Sequence, residues 1–190
     1  RILSVKLGID DYVAKSSALR TDDLEWEAFR SQPLHPDALR ALRYMHDVEF
    51  HTVCYLRDIL VTRAHSDPEI TTFLTFWAYE EYFHGAAIAR VLELHEEVAG
   101  RDRVEVTRSQ GRTRERLNPL VNMIASAVLK DFVAIPMAWG AINEWTTQAG
   151  YARLAAKADH PVLSELLRRI MKQEGRHIDF YASRAAALLG

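Results

Sequence analysis

Residues 66–97 read SDPEITTFLTFWAYEEYFHGAAIARVLELHEE, a stretch with the look of a buried helix that nevertheless carries EEYFHG at 80–85. On a helix, side chains three, four and seven positions apart share one side. Counted from Glu81, that side holds Leu74, Trp77, Ala78, Glu81, His84, Gly85, Ile88 and Leu92. All are apolar or small except Glu81 and His84. A carboxylate on a buried face is costly unless something neutralises it. The stretch therefore poses a choice between a self-satisfied polar pair and a cation that the chain itself does not supply.

The same oddity recurs further along. The 3.6-residue period appears in four long blocks, and strand signals are nearly absent. The first block runs from about Pro36 to Ala64, with Leu42, Met45, His46, Glu49, Val53, Leu56 and Leu60 on one face. The second begins at SDPE, with Ser66 or Asp67 to cap and Pro68 in the first turn, and Gly100 is a natural stop. GRDRVEVTRSQGRTRERLN then reads as a connection of roughly fifteen to twenty residues. The third block spans about Pro119 to Asp159, with a kink or break expected at Pro136. The fourth starts at DHPVLSEL, with Asp159 or His160 near the cap, and runs to Gly190. Four amphipathic helices with one long central connection predict an all-α four-helix bundle over residues 36–190. Residues 1–35, with TDDLEWEAFR, are expected to form an N-terminal arm or short helices packed on it.

In the fourth block, Leu167, Ile170, Met171, Glu174, His177, Ile178 and Tyr181 share a face, so Glu174 and His177 repeat the Glu-x-x-His of the second. The first and third blocks each carry one glutamate on an otherwise apolar or small stripe, Glu49 and Glu144. Glu81 follows Glu49 by 32 residues and Glu174 follows Glu144 by 30, so two hairpins of matched length would bring all six side chains to one height. Four carboxylates and two imidazoles suit two divalent ions, with two glutamates bridging and one histidine on each metal. Two dications also balance four carboxylate charges, which removes the objection to burying them. Glu49, Glu81, His84, Glu144, Glu174 and His177 are thus the predicted metal ligands. His46 is read as a core histidine or a residue behind the ligands, Asp47 falls off the stripe, and Glu80 and Glu97 read as solvated charges. His35, His51, His65, His95 and His160 are expected at the surface, in loops or at caps.

The rest of the composition narrows the class. At 190 residues and 48% hydrophobic content, the chain suits one compact domain. No apolar run approaches the ~20 residues of a membrane span. A net charge of −2 excludes a broad nucleic-acid-binding surface. The only cysteine, Cys54, excludes an intramolecular disulfide and suits a cytosolic setting. The chain opens on Arg1 without a methionine and without a signal-peptide pattern, so a segment ahead of it is left open.

FWAYEEYFHG, followed much later by EGRH, resembles the paired motifs of the soluble acyl-carrier-protein desaturases, members of the ferritin-like di-iron superfamily. The resemblance covers roughly residues 36–188. It implies a ferritin-like bundle with two iron ions (manganese being the other metal for such ligands) that activate oxygen and remove hydrogen from an unactivated carbon. It assigns Thr147, three residues after Glu144, to the oxygen-binding side. It further implies an acyl-carrier-bound or other apolar substrate, a ferredoxin-like electron donor and a homodimer. Where these desaturases usually carry an aspartate before the fourth-helix glutamate, this chain has Gln173, which weakens the expected hydrogen bond to a histidine. Gly140 and Ala141 are small enough to leave room for an acyl chain. The six arginines of RDRVEVTRSQGRTRER (101, 103, 108, 112, 114, 116) offer a dock for an acidic carrier, or simply a solvated loop.

Two other readings share the doubled Glu-x-x-His. One is an iron-handling or peroxide-scavenging protein like the bacterioferritins and rubrerythrins, although one cysteine cannot build the extra iron domain of the latter. The other resembles the radical-generating small subunit of ribonucleotide reductase, which needs a tyrosine near the metals; Tyr151 and Tyr181 lie on the ligand stripes. Thr147 and EEYFHG favour the desaturase-like enzyme.

Overall fold

The computed structural model describes residues 8–109 and 113–190, with the side chains of 113–116 left aside. It is all-α, with no strand among the described residues. Short helices α1 (Ile9–Lys15) and α2 (Ala28–Ser31) precede α3 (Pro36–Leu60); α4 (Pro68–Glu93), α5 (Gly100–Ser109), α6 (Thr113–Val128), α7 (Ala134–Lys157) and α8 (Pro161–Leu189) follow. Among the described residues no helix is long and apolar enough to cross a membrane.

Three of the four long helices begin the same way. Pro36, Pro68 and Pro161 occupy the first turn, where a missing N–H costs nothing, and the residue before each caps the helix. Asp67 accepts from the N–H groups of Glu69 and Ile70, and His160 from that of Leu163. The third block is not continuous. Pro136 has no N–H to give, and its ring excludes the carbonyl of residue 132, so the chain breaks after Val128 and restarts as α7 with Pro136 in its first turn.

The long helices form two antiparallel hairpins. In the first, Thr52 of α3 meets Glu81 of α4 and Tyr55 meets Trp77; in the second, Gln148 of α7 meets Met171 of α8 and Ala155 meets Ser164. The hairpins stack through α3 on α7, where Tyr151 reaches Glu49 and Tyr55 reaches Pro136, and through α4 on α8, where Gln173 reaches His84. Each helix is therefore antiparallel to both of its neighbours around the ring.

That geometry requires α4 and α7 to run parallel, so the link between them must travel the whole length of the molecule. In its described residues after Gly100 it does so as the helices α5 and α6, not as the loop expected from its polar sequence, of which residues 110–112 lie outside the described residues. The α4 helix ends at Glu93, earlier than the stop expected at Gly100, and Gly100 instead opens α5 by donating its N–H to His46 Nε2 (2.9 Å). The crossover then descends beside α3: Arg103 pairs with Asp47, Arg108 Nη2 donates to the Phe50 carbonyl, and the Arg63 N–H donates to Ser126 Oγ. The 26 helical residues of α5 and α6 span about 39 Å, close to the length of α3. Arginines 112, 114 and 116 lie outside the described side chains, and Arg103 is already committed to Asp47.

Two apolar clusters fill the bundle. One gathers Leu42, Ile88, Leu92, Leu163, Leu167 and Ile170, together with Trp26, Phe29 and Leu34 from the segment before Pro36. The other gathers Phe73, Trp77, Met137, Phe180 and Tyr181 with Tyr12 of α1. Beyond Glu49 the buried face of α3 turns to Thr52 and Ile59, leaving Val53 and Leu60 exposed. Gly140 lines a cavity beside the core and also packs against α8. A Cβ there would lie 2.5 Å from the Tyr181 ring, so the glycine records how closely α7 and α8 approach.

Candidate metal centre

Between the two apolar clusters lies a polar layer. Glu49, Glu81, His84, Glu144, Glu174 and His177 all point into it, and all are buried. Ligand atoms of Glu49, Glu81, His84 and Glu174 lie within 4.8 Å of one another, as do those of Glu81, Glu144, Glu174 and His177. The two groups share Glu81 and Glu174. One such group per cation, with the shared glutamates between them, is the arrangement expected of a bridged pair.

The orientation of each side chain has a cause. Tyr151 Oη donates to Glu49 Oε1, Trp77 Nε1 donates to Glu144 Oε1 (2.8 Å), and Thr52 Oγ1 donates to Glu81 Oε2 (3.4 Å). These donors hold the outer oxygens and turn the others inward. There Glu49 Oε2, Glu81 Oε1, Glu174 Oε1 and His84 Nδ1 are buried with no hydrogen-bond partner. Orphaned acceptors are rare in protein interiors, and four converging on one spot form a group that could hold metal ions. The donor set of carboxylate oxygens and imidazole nitrogens fits iron or manganese, so the residues present can hold two such ions.

Both histidines face the layer with Nδ1. His84 Nδ1 lies 3.3 Å from Glu174 Oε1, and His177 Nδ1 lies 2.9 Å from Glu174 Oε2 and 3.1 Å from Glu81 Oε1. Their outer nitrogens are engaged behind the layer: His84 Nε2 at 2.7 Å from Gln173 Oε1, His177 Nε2 at 2.8 Å from Glu80 Oε2. Gln173 therefore supplies the histidine contact that its departure from aspartate was expected to weaken.

Without a cation, protons balance the charge. Burial raises Glu81 well above the usual carboxylate range, with Glu49, Glu174 and Glu144 adding to it. Burial and then Glu174 push Glu144 up to about 8. Burial opposes charging His84, but the nearby carboxylates of Glu174 and Glu49 outweigh it and hold the imidazole well above its ordinary value. Glu174 moves the other way; burial opposes its ionisation, and His177 and His84 overcome that. The layer is thus stocked with protons that a metal would displace.

Glu80 corrects the sequence reading. It is fully buried, not a solvated charge, and lies under the segment before Pro36. Burial opposes its ionisation, yet His177 and Arg176 hold its carboxyl below the usual range. One sequence signal pointed to it: Phe73, Trp77, Glu80, His84, Ala87 and Val91 form a second helical stripe beside the one through Glu81. Glu97 pairs with Arg43 at 2.6 Å. His46 sits in the core between Asp47 and Gly100, away from the layer; His51 is exposed, His35 and His160 are caps, and His95 Nε2 accepts from the Leu34 N–H.

A cavity of about 450 Å³ opens from this layer between α3, α7 and the crossover. Glu49, Glu81 and Glu144 form its inner end, and Thr147, half-buried one turn after Glu144, is in its wall. Of the two tyrosines on the ligand stripes, Tyr151 is bonded to Glu49, and the buried Tyr181 hydroxyl has no partner. Comparison of the chain with protein-family models, curated proteins and solved structures finds no match to any of them.

Proposed function

We propose that this chain is a ferritin-like di-iron oxidoreductase that activates oxygen, acting as a desaturase or hydroxylase on an acyl or other apolar substrate. The observation that carries the reading is the pair of four-residue groups sharing Glu81 and Glu174. Two iron ions there would supply oxygen activation and hydrogen abstraction. The chain's own residues bind and orient the ions: Tyr151, Trp77 and Thr52 steer three carboxylates, while Gln173 and Glu80 steer two imidazoles. The apolar clusters close the layer on either side along the bundle, which leaves the cavity as its opening. The cavity brings a substrate against Glu49, Glu81 and Glu144, and Thr147 offers a hydroxyl there for placing a proton. An acyl-carrier-bound substrate and a ferredoxin-like donor, in a cytosolic setting, complete the reading.

The deciding experiment is anaerobic Fe(II) loading followed by admission of oxygen. Two irons per chain and a new near-ultraviolet absorption are expected; no stoichiometric iron would end the proposal. Thr147→Val should retain both irons and alter the rate or product of oxygen consumption. Unchanged oxygen consumption and products would remove Thr147 from the reaction.

Iron handling is the second reading. The same buried carboxylate and imidazole groups could hold iron without any reaction on a substrate. A shell of many subunits filled with iron mineral would decide for it.

The homodimer has its own support. From Leu117 to Leu129 there is no charged residue, and from Phe132 to Gly150 the only one is the buried Glu144. Ten large apolar side chains on α6 and α7 are exposed, among them Val121 (59%), Trp139 (57%) and Trp145 (68%). Each leaves about half or more of its surface bare. A charge-free patch rich in Trp, Ile and Leu suits the centre of an isologous interface with a second copy of this chain.

A further inference from the structure

The two halves of the layer look alike from inside and differ from behind. His84 is backed by the neutral amide of Gln173, and His177 by the carboxylate of Glu80. The amide's orientation is set by its own bonds, because Gln173 Nε2 donates to the Ser17 carbonyl (2.9 Å) and to Glu80 Oε1 (3.3 Å), which leaves Oε1 for His84. Glu80 accepts from five donors among the described residues. Oε2 accepts from His177 and from Tyr12 Oη (3.0 Å), while Oε1 accepts from Arg176 Nη2 (2.6 Å) and the Ser17 N–H (3.2 Å). The segment from α1 to Ser17 is thereby tied to both histidines at once.

A carboxylate accepting an imidazole N–H makes the opposite ring nitrogen a stronger metal donor, and loss of such a partner typically weakens binding by about 10–100-fold. An amide carbonyl gives the same orientation with less donor strength. We propose that Glu80 is a positioning residue that makes the Glu144–His177 half the tighter of two unequal metal positions, so that this half fills first. The inference rests on the di-metal reading of the layer. It concerns order and inequality, which that reading leaves free.

Anaerobic titration with Co(II), followed by its visible absorption, tests it without any turnover. Wild type should bind two Co(II) per chain in two resolved steps. Glu80→Gln keeps one acceptor oxygen of the same shape and removes the charge; it should weaken the tighter step by about 10–100-fold and the weaker step, which Glu80 reaches only through Gln173, by less. Should that variant fail to fold, the half-sites can be separated instead. His84→Ala should retain one Co(II) at the tight affinity, with its spectrum, and His177→Ala one at the weak affinity. Equal steps in wild type, a tight step surviving in His177→Ala, or equal weakening of both steps in Glu80→Gln would overturn the assignment. Wild type that binds no Co(II) or Fe(II) would remove the metal reading itself, and the inference with it.

Discussion

The layer inside the bundle and the outer face of α6 and α7 break the usual distribution of side chains in opposite senses. Inside, four glutamates and two histidines are buried where leucines would be expected. Outside, Leu117, Val121, Ile124 and Val128 follow a helical stripe that faces solvent, while α6 buries Ser126. Both are expensive for an isolated chain, the first through desolvated charge and the second through hydrated apolar area. On the function proposed above, both become favourable when something outside the chain is added, two cations in one case and a second copy in the other. An exception to the burial rule thus suggests the chemistry of a ligand, and under that proposal the two exceptions here suit opposite kinds.

The comparison is broken most directly at the shared glutamates. Glu81→Ala or Glu174→Ala should abolish binding of the metal pair, whereas Glu49→Ala or Glu144→Ala should leave one ion. Metal analysis after anaerobic loading and desalting distinguishes them, and two ions per chain in Glu81→Ala would refute the bridging role. At the outer face, Val121→Glu with Ile124→Glu should turn a dimer into a soluble monomer at micromolar concentration by sedimentation. A wild-type monomer that binds lipid vesicles would instead assign the face to a membrane surface.

A smaller effect is expected from pH. The fold favours the neutral form of Glu144, whose value rises from 4.5 to about 8, so that stability is fully present below about pH 4.5 and is lost as pH rises through 8. His84 and His177, also raised, act in the same direction above 6.5, whereas the lowered Glu174 and Glu80 are ionised in both folded and unfolded chains over that window. Metal-free protein should therefore lose on the order of 5–10 °C in Tm between pH 5 and pH 8. Metal reverses the trend, because its affinity grows as the protons leave. A metal-free Tm that rises over this range would contradict the proton-stocked layer. The smallest effect is at the contact between α7 and α8. Gly140→Ala should cost about 1–3 kcal/mol, since its Cβ meets the Tyr181 ring. Leu120→Ala on the outer face should change monomer stability by less than about 0.5 kcal/mol. Thermal unfolding of both variants measures that contrast.

The six converging residues were legible because helical period alone puts i and i+3 on one face, and because matched hairpin lengths put four helices in register. Pro36, Pro68 and Pro161 marked three helix starts through their missing N–H. The all-α class followed from the same period. Other features depended on neighbours distant in the chain. Glu80 lies about 100° around the helix from Glu81, and its burial depends on Tyr12 and Ser17, some 65 residues earlier, covering that side. The described parts of the polar run after Gly100 became helix because the parallel placement of α4 and α7 obliges the chain to cross the whole bundle, and helix satisfies its backbone on the way. Gly140 could signal open space or close packing, and only the folded chain shows both, with the Tyr181 ring against it and the cavity beside it. Local period and proline chemistry belong to the sequence by itself; which second face of a helix is covered, and which apolar stripe is left bare, is settled only by how the helices pack.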